Sequence, residues 1–134
     1  MGTVLVNSDV LLDILTSDKQ WSPWSTNAVL LAGDANRLVI NPIIFAEISI
    51  RFTRIEELDD AVRGFEREAI PFEAAFLAGK AFAEYRRRKG AKRSPLPDFF
   101  IGAHAAIADY SLLTRDPARY RSYFPTVCLI APET

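Results

Sequence analysis

Four acidic side chains far apart in the sequence stand where chemistry on a charged substrate is feasible: Asp9, Glu47, Asp98 and Asp116. Asp9 closes the polar segment Asn7-Ser8-Asp9, directly after the β-branched run Thr3-Val4-Leu5-Val6. Glu47 follows a second buried-strand pattern, Leu38-Val39-Ile40-Asn41, and lies one to two turns into a helix opened by Pro42. Asp98 stands at a helix start, and Asp116 follows the run Ser111-Leu112-Leu113-Thr114. In an open parallel sheet, ligands bind beyond the carboxyl ends of the strands. The acids are therefore expected to meet at one pocket, Asp98 among them if its helix starts at that edge.

Carboxylates gathered in one place repel one another unless a cation joins them. Mg²⁺ or Mn²⁺, hard ions that prefer oxygen, are the expected cofactors. Such an ion activates water near a phosphodiester and stabilises the leaving oxygen. That chemistry needs neither a histidine base nor a cysteine nucleophile, and the chain has one of each, His104 and Cys128. A lone cysteine also excludes an internal disulfide and a cysteine-based zinc site. Each of Asp98 and Asp116 alone also reads as a helix cap. Glu47 is harder to assign that way. It sits among Ile43, Ile44, Phe45 and Ile48, where an unpaired buried charge is costly, so it either is paired or faces solvent.

These acids require strands alternating with helices. After the strand at residues 3–6, a helix is expected over residues 10–15 and another over 22–32, with Pro23 in its first turn and Gly33 as its stop. Residues 38–41 read as a strand and 42–49 as a helix. Residues 55–68 carry Leu58, Val62 and Phe65 between charges, the mark of an amphipathic helix. A short strand over 69–72, a long helix over 72–88, a loop to residue 96 and an apolar helix from Pro97 follow. Residues 111–114 and 127–130 complete the strands. This alternation predicts one α/β domain over residues 1–134, a sandwich around a mainly parallel sheet.

Composition sets the outer bounds. The chain has 134 residues, 49% hydrophobic and 25% charged, with net charge −1. That is a globular composition of one domain's length. Its overall charge does not announce a nucleic-acid binder. The apolar runs are too short to span a membrane, and no basic segment leads into an apolar signal region. A soluble cytoplasmic protein is expected.

Four segments together resemble the PIN-domain family, specifically the VapC-like toxin ribonucleases of toxin–antitoxin systems. They are residues 4–13, beginning Val4-Leu5-Val6-Asn7-Ser8-Asp9; residues 41–47, ending at Glu47; residues 95–105, containing Asp98; and residues 112–120, containing Asp116. They occur in order along the whole chain. The resemblance implies a three-layer α/β/α sandwich, Mg²⁺- or Mn²⁺-dependent cleavage of RNA, and a cognate antitoxin that blocks the site. It also allows a homodimer. Residue by residue, Glu47, Asp98 and Asp116 match the family's catalytic acids and its metal-holding positions, and Ser8 and Thr114 its supporting polar residues. The family's first acid falls at position 7, where this chain has Asn7. Asn7 offers a neutral carbonyl in place of an anionic oxygen, so it is expected to weaken metal binding and to attenuate cleavage. Asp9, if the chain is still extended there, lies roughly 6–7 Å further on and cannot take the same position without a rearrangement of the backbone. An alternative follows: a PIN-like module with impaired catalysis that only binds RNA or protein.

The run Arg86-Arg87-Arg88-Lys89-Gly90-Ala91-Lys92-Arg93 holds six cations. It reads either as a solvated helix end or as a grip on RNA phosphates through Arg86, Arg87, Arg88, Lys89, Lys92 and Arg93. Antitoxin contact competes for the same cations. Trp21, Trp24, Phe45 and Phe52 read as core or as one apolar groove, and in the family such a groove receives an antitoxin helix. His104 and Cys128 are expected to be packed core. Asp13, one turn beyond Asp9, either supports the site or faces solvent.

Overall fold

A computed structural model describes residues 2–89 and 96–133. The chain opens with β1 (Gly2–Val6), buried from Val4 onward as a parallel strand covered on both faces should be. Then come α1 (Ser8–Leu15), α2 (Ser22–Ala35), β2 (Asn36–Ile40), α3 (Pro42–Ser49) and α4 (Ile55–Ala61). After β3 (Glu66–Arg67) follow α5 (Phe72–Lys89), α6 (Leu96–Ala108), β4 (Ser111–Leu113), α7 (Ala118–Tyr123) and β5 (Leu129–Ile130).

The five strands form one sheet in the order β3-β2-β1-β4-β5. Every pairing is parallel. Right-handed crossovers place α1 to α4 on one face and α5 to α7 on the other, giving the expected PIN-like three-layer sandwich. Strand order reverses at β1, so its carboxyl end and that of β4 border the topological switch point. The register sets Val6 opposite Leu113, and the Asn7 amide then donates to the Leu113 carbonyl at 2.9 Å. Asn7 and Thr114 thus leave the sheet side by side.

Several boundaries differ from the sequence expectation. The helix expected over residues 55–68 stops at Ala61, and the short strand is Glu66–Arg67, not residues 69–72. The cause lies on β2. Arg37 draws Glu66 and Glu68 to its guanidinium at 3.0 and 2.8 Å, and Val39 and Ile40 pair with Glu66 and Arg67. Those tertiary contacts override the helical pattern. Gly33 does not stop α2 but lies inside it, against the Leu38 side chain. Cys128 is exposed, not core. The edge strand is Leu129–Ile130, shorter than the expected 127–130, so Cys128 lies just before it and turns outward while its neighbour Val127 is buried. No helix among the described residues is long and apolar enough to cross a membrane.

Two devices aim α6, which carries Asp98. Phe99 is fully buried and packs edge-on against Phe82, Tyr85 and Tyr123. Gly102 lies so close to Phe124 that a methyl group there would stand 2.4 Å from the ring.

Candidate active site

Asn7 caps α1 from an extended backbone conformation, its side-chain oxygen accepting from the Ser8 amide at 2.7 Å. An asparagine suits this place because the first turn's N–H groups lack partners within the helix. The helix begins at Ser8, so Asp9 is not extended: it lies in the first turn, bent back over the end of β4. Its Oδ2 accepts from the Thr114 hydroxyl at 2.9 Å and the Arg115 amide at 3.2 Å. The remaining oxygen accepts from the Val10 amide.

Asn7, Ser8 and Asp9 line one cleft with Asp98 and Asp116, and the α7 residues Ala118, Arg119 and Tyr120 close it. The cleft has a volume of about 320 Å³. Glu47 stands behind this wall: its Oε1 accepts from the Ser8 hydroxyl at 2.6 Å. Thr114, fully buried, braces the floor. The structure therefore brings together the expected acids and their supporting residues at the carboxyl ends of β1 and β4. The cap explanation fails for Asp116, because α7 is capped by Pro117 without a side-chain bond.

The electrostatics record a surplus of negative charge. Burial pushes the Asp9 carboxyl up to about 6, against the pull of its hydrogen bonds from Thr114, Val10 and Arg115. Burial also raises Glu47, and the Asp98 charge adds to it. Tyr120 is driven up by burial and then by the charges of Asp98 and Asp9. The Arg119 guanidinium answers part of it, meeting Asp98 Oδ2 at 2.5 Å, and the Arg115 charge also bears on Asp9 and Asp116.

Among the described residues, no three acids, histidines or cysteines converge tightly enough to grip an ion by themselves. The donor set nonetheless fits a hard cation. It is made of oxygens, it is short of positive charge, and Mg²⁺ uses one or two carboxylates and keeps its waters. Asn7 contributes a neutral oxygen that already accepts from the Ser8 amide, and its nitrogen donates to Thr114 Oγ1 at 3.2 Å and to the Tyr120 hydroxyl at 3.1 Å.

Sequence reasoning missed Arg119 and Tyr120. Both lie within the motif that carries Asp116, three and four residues beyond it, and only the turn of α7 faces them inward. Asp13 is buried, bound to Arg115 Nε at 2.8 Å and to the Ser25 hydroxyl at 2.7 Å. It braces α1 and α2 and does not face solvent. His104 is packed as expected, against Asn41. Arg87 and Arg88 both pair with Glu84, and Arg86 lies over the Phe82 ring. The expectations for the Lys89 side chain, Lys92 and Arg93 fall outside what the structure describes. The aromatic groove is not one groove. Trp21 packs edge-on against Trp24, and Trp24 borders a hollow with Leu31 and Ile130. Phe45 and Phe52 border another beside α4.

No protein-family model matches the chain, and no curated protein matches it. Solved structures do. VapBC2 from Rickettsia felis, bound to a DNA fragment from its promoter, is 15% identical with TM-score 0.73, covering 98% of this chain and 99% of that one. A toxin–antitoxin complex from Klebsiella pneumoniae is 18% identical with TM-score 0.68, covering 97% and 98%. FitAcB from Neisseria gonorrhoeae is 15% identical with TM-score 0.63, covering 95% and 96%. At such identities the likeness is one of fold: over nearly its whole length, this chain has the PIN-like fold found in these toxin–antitoxin complexes.

Proposed function

We propose that this chain is the toxin of a toxin–antitoxin pair: a metal-dependent endoribonuclease that hydrolyses RNA phosphodiester bonds and is blocked by a cognate antitoxin. The observation that carries the reading is the single cleft where Asp9, Asp98 and Asp116 meet at the switch point of the sheet, with Glu47 one hydrogen bond behind. A Mg²⁺ or Mn²⁺ ion would be held there by these carboxylates, directly or through water. When bound, such an ion supplies an activated water and stabilises charge on the leaving oxygen.

The chain's own groups do the rest. Ser8 donates its one hydroxyl proton to Glu47 and so orients that carboxylate behind the cleft. Glu47, raised by burial and by the Asp98 charge, holds a proton more readily than a free glutamate, and it bears on the cleft through the Ser8 hydroxyl. Arg119 stands on the cleft wall, where a substrate phosphate can replace Asp98 as its partner. Its placement over the Tyr85 ring keeps the guanidinium close to that wall. Arg86, Arg87 and Arg88 lie at the end of α5, and Arg88 reaches α7 through Tyr123. They extend the positive surface along which an RNA backbone could run. An antitoxin helix would seat in the apolar hollow of about 510 Å³ lined by Ile40, Pro42, Phe45 and Ala46.

The test is cleavage of single-stranded RNA by the purified chain. Cleavage should require Mn²⁺ or Mg²⁺, stop in chelator, and fall at least about 100-fold in Glu47→Gln and Asp98→Asn, since each removes a charge acting on the transition state. RNA bound tightly but never cut, in either metal, would favour the binding-module reading that Asn7 suggests.

A further inference from the structure

The hydrogen bonds around Asn7 run in one direction only. A backbone N–H can only donate, so the short contact from the Ser8 amide fixes which side of the Asn7 amide is oxygen. The Asn7 nitrogen therefore donates, and it spends both hydrogens, on Thr114 Oγ1 and on the Tyr120 hydroxyl. Thr114 also accepts from the Asp116 amide at 3.2 Å. With both of its accepting positions filled, the Thr114 hydroxyl has one proton left, and Asp9 Oδ2 receives it. Asp9 is thus the carboxylate that the Thr114 hydroxyl holds, and the network that holds it begins at Asn7.

We infer that the negative charge usually sought at the end of the first strand has moved to Asp9, and that Asn7 is its positioning residue. Asp9 joins Asp98 and Asp116 in facing a divalent cation, while Asn7 acts only by fixing the direction of the Thr114 hydroxyl. An Asp at position 7 would break this arrangement. It could not donate to Thr114, and it would compete with Asp9 for the single Thr114 proton. This inference rests on the metal-dependent reading above, and it adds that the Asn7/Asp9 pair is a working variant and not a damaged site.

The experiment is calorimetric titration with Mn²⁺ of the whole chain and three variants, each checked for folding by circular dichroism. The unaltered chain should bind Mn²⁺. Asp9→Asn should bind at least about tenfold more weakly. Asn7→Ser keeps a capping oxygen but loses the amide donors, and should weaken binding by about 10–100-fold, the usual cost of removing a partner that orients a ligand. Asp98→Asn serves as the control for the cleft itself. If Asp98→Asn loses binding while Asp9→Asn keeps it, the assignment of Asp9 is overturned and the metal-dependent reading stands. If the unaltered chain binds no Mn²⁺, both fall. Should Asp9→Asn fail to fold, carbon-13 spectra of the unaltered chain titrated with Mg²⁺ decide. The Asp9 carboxyl signal should move and the Asn7 carboxamide signal should stay. The reverse pattern overturns the inference.

Discussion

Asp9 should make the metal-free protein lose stability as the pH rises through the weakly acid range. Its carboxyl titrates near 6 in the folded chain against 3.8 for a free aspartate. The folded state therefore holds the proton more tightly than the unfolded state. The favourable contribution is complete below about pH 4 and is lost as the pH passes through 6. That gap corresponds to about 3 kcal/mol. For a chain of 134 residues, the unfolding entropy near the midpoint is about 0.3 kcal/mol per degree. The penalty thus amounts to about 10 °C. Other carboxylates also titrate in this range, so the informative quantity is the difference between the unaltered chain and Asp9→Asn. An asparagine loses a hydrogen-bond acceptor toward Val10 or Arg115, but that cost does not change with pH. In chelator, the melting temperature of Asp9→Asn relative to the unaltered chain should rise by about 8–10 °C between pH 4 and pH 7.5. Saturating Mn²⁺ at pH 7.5 should stabilise the unaltered chain more than the variant. Thermal unfolding followed by circular dichroism at several pH values reads all of this. Parallel melting profiles for the two proteins would show that Asp9 carries no burial penalty, and the electrostatic argument would fail.

Gly102→Ala places a methyl group against the Phe124 ring, and overpacking of that kind costs about 1–3 kcal/mol. Because α6 carries Asp98, cleavage should fall more than the lower melting temperature explains, measured well below the midpoint. Unchanged stability would mean that Phe124 swings aside freely. Replacing Arg87 and Arg88 together by Ala should leave the melting temperature nearly unchanged, since both are exposed beside Glu84. If both contact phosphate, the slope of log affinity for single-stranded RNA against log salt should flatten by about 1.4. An unchanged slope would assign these cations to the solvated helix end.

The strands and helices around the site were legible because buried parallel strands are continuous apolar runs and their ends are marked by polar residues. Asn7, Asn41 and Thr114 sit at such ends. Glu47 stood out because a charge among isoleucines demands a partner, and Ser8 is that partner. What escaped was decided by contacts distant in sequence. The end of α4 depends on Arg37 drawing Glu66 and Glu68 to β2, which no local pattern contains. The starting residue of α1 turned Asp9 from an extended position into the cleft, a change of two residues with a large effect on the site. Arg119 and Tyr120 are ordinary helix residues until the turn of α7 is known, and only then does one pair with Asp98 and the other with Asn7. Cys128 followed from the same limit: an apolar run at a sheet edge does not show which of its side chains face inward.

The central claim is that the cleft hydrolyses RNA by attack of water on the phosphodiester. The most direct measurement is the chemistry of the ends it leaves on a single-stranded RNA in Mn²⁺. Attack by water, with the ribose 2′-hydroxyl uninvolved, predicts products without a 2′,3′-cyclic phosphate, the same cleavage when the scissile nucleotide carries a 2′-methoxy group, and loss of that cleavage in Asp98→Asn. Cyclic phosphate ends, or a rate unaltered by chelator and by Asp98→Asn, would contradict it.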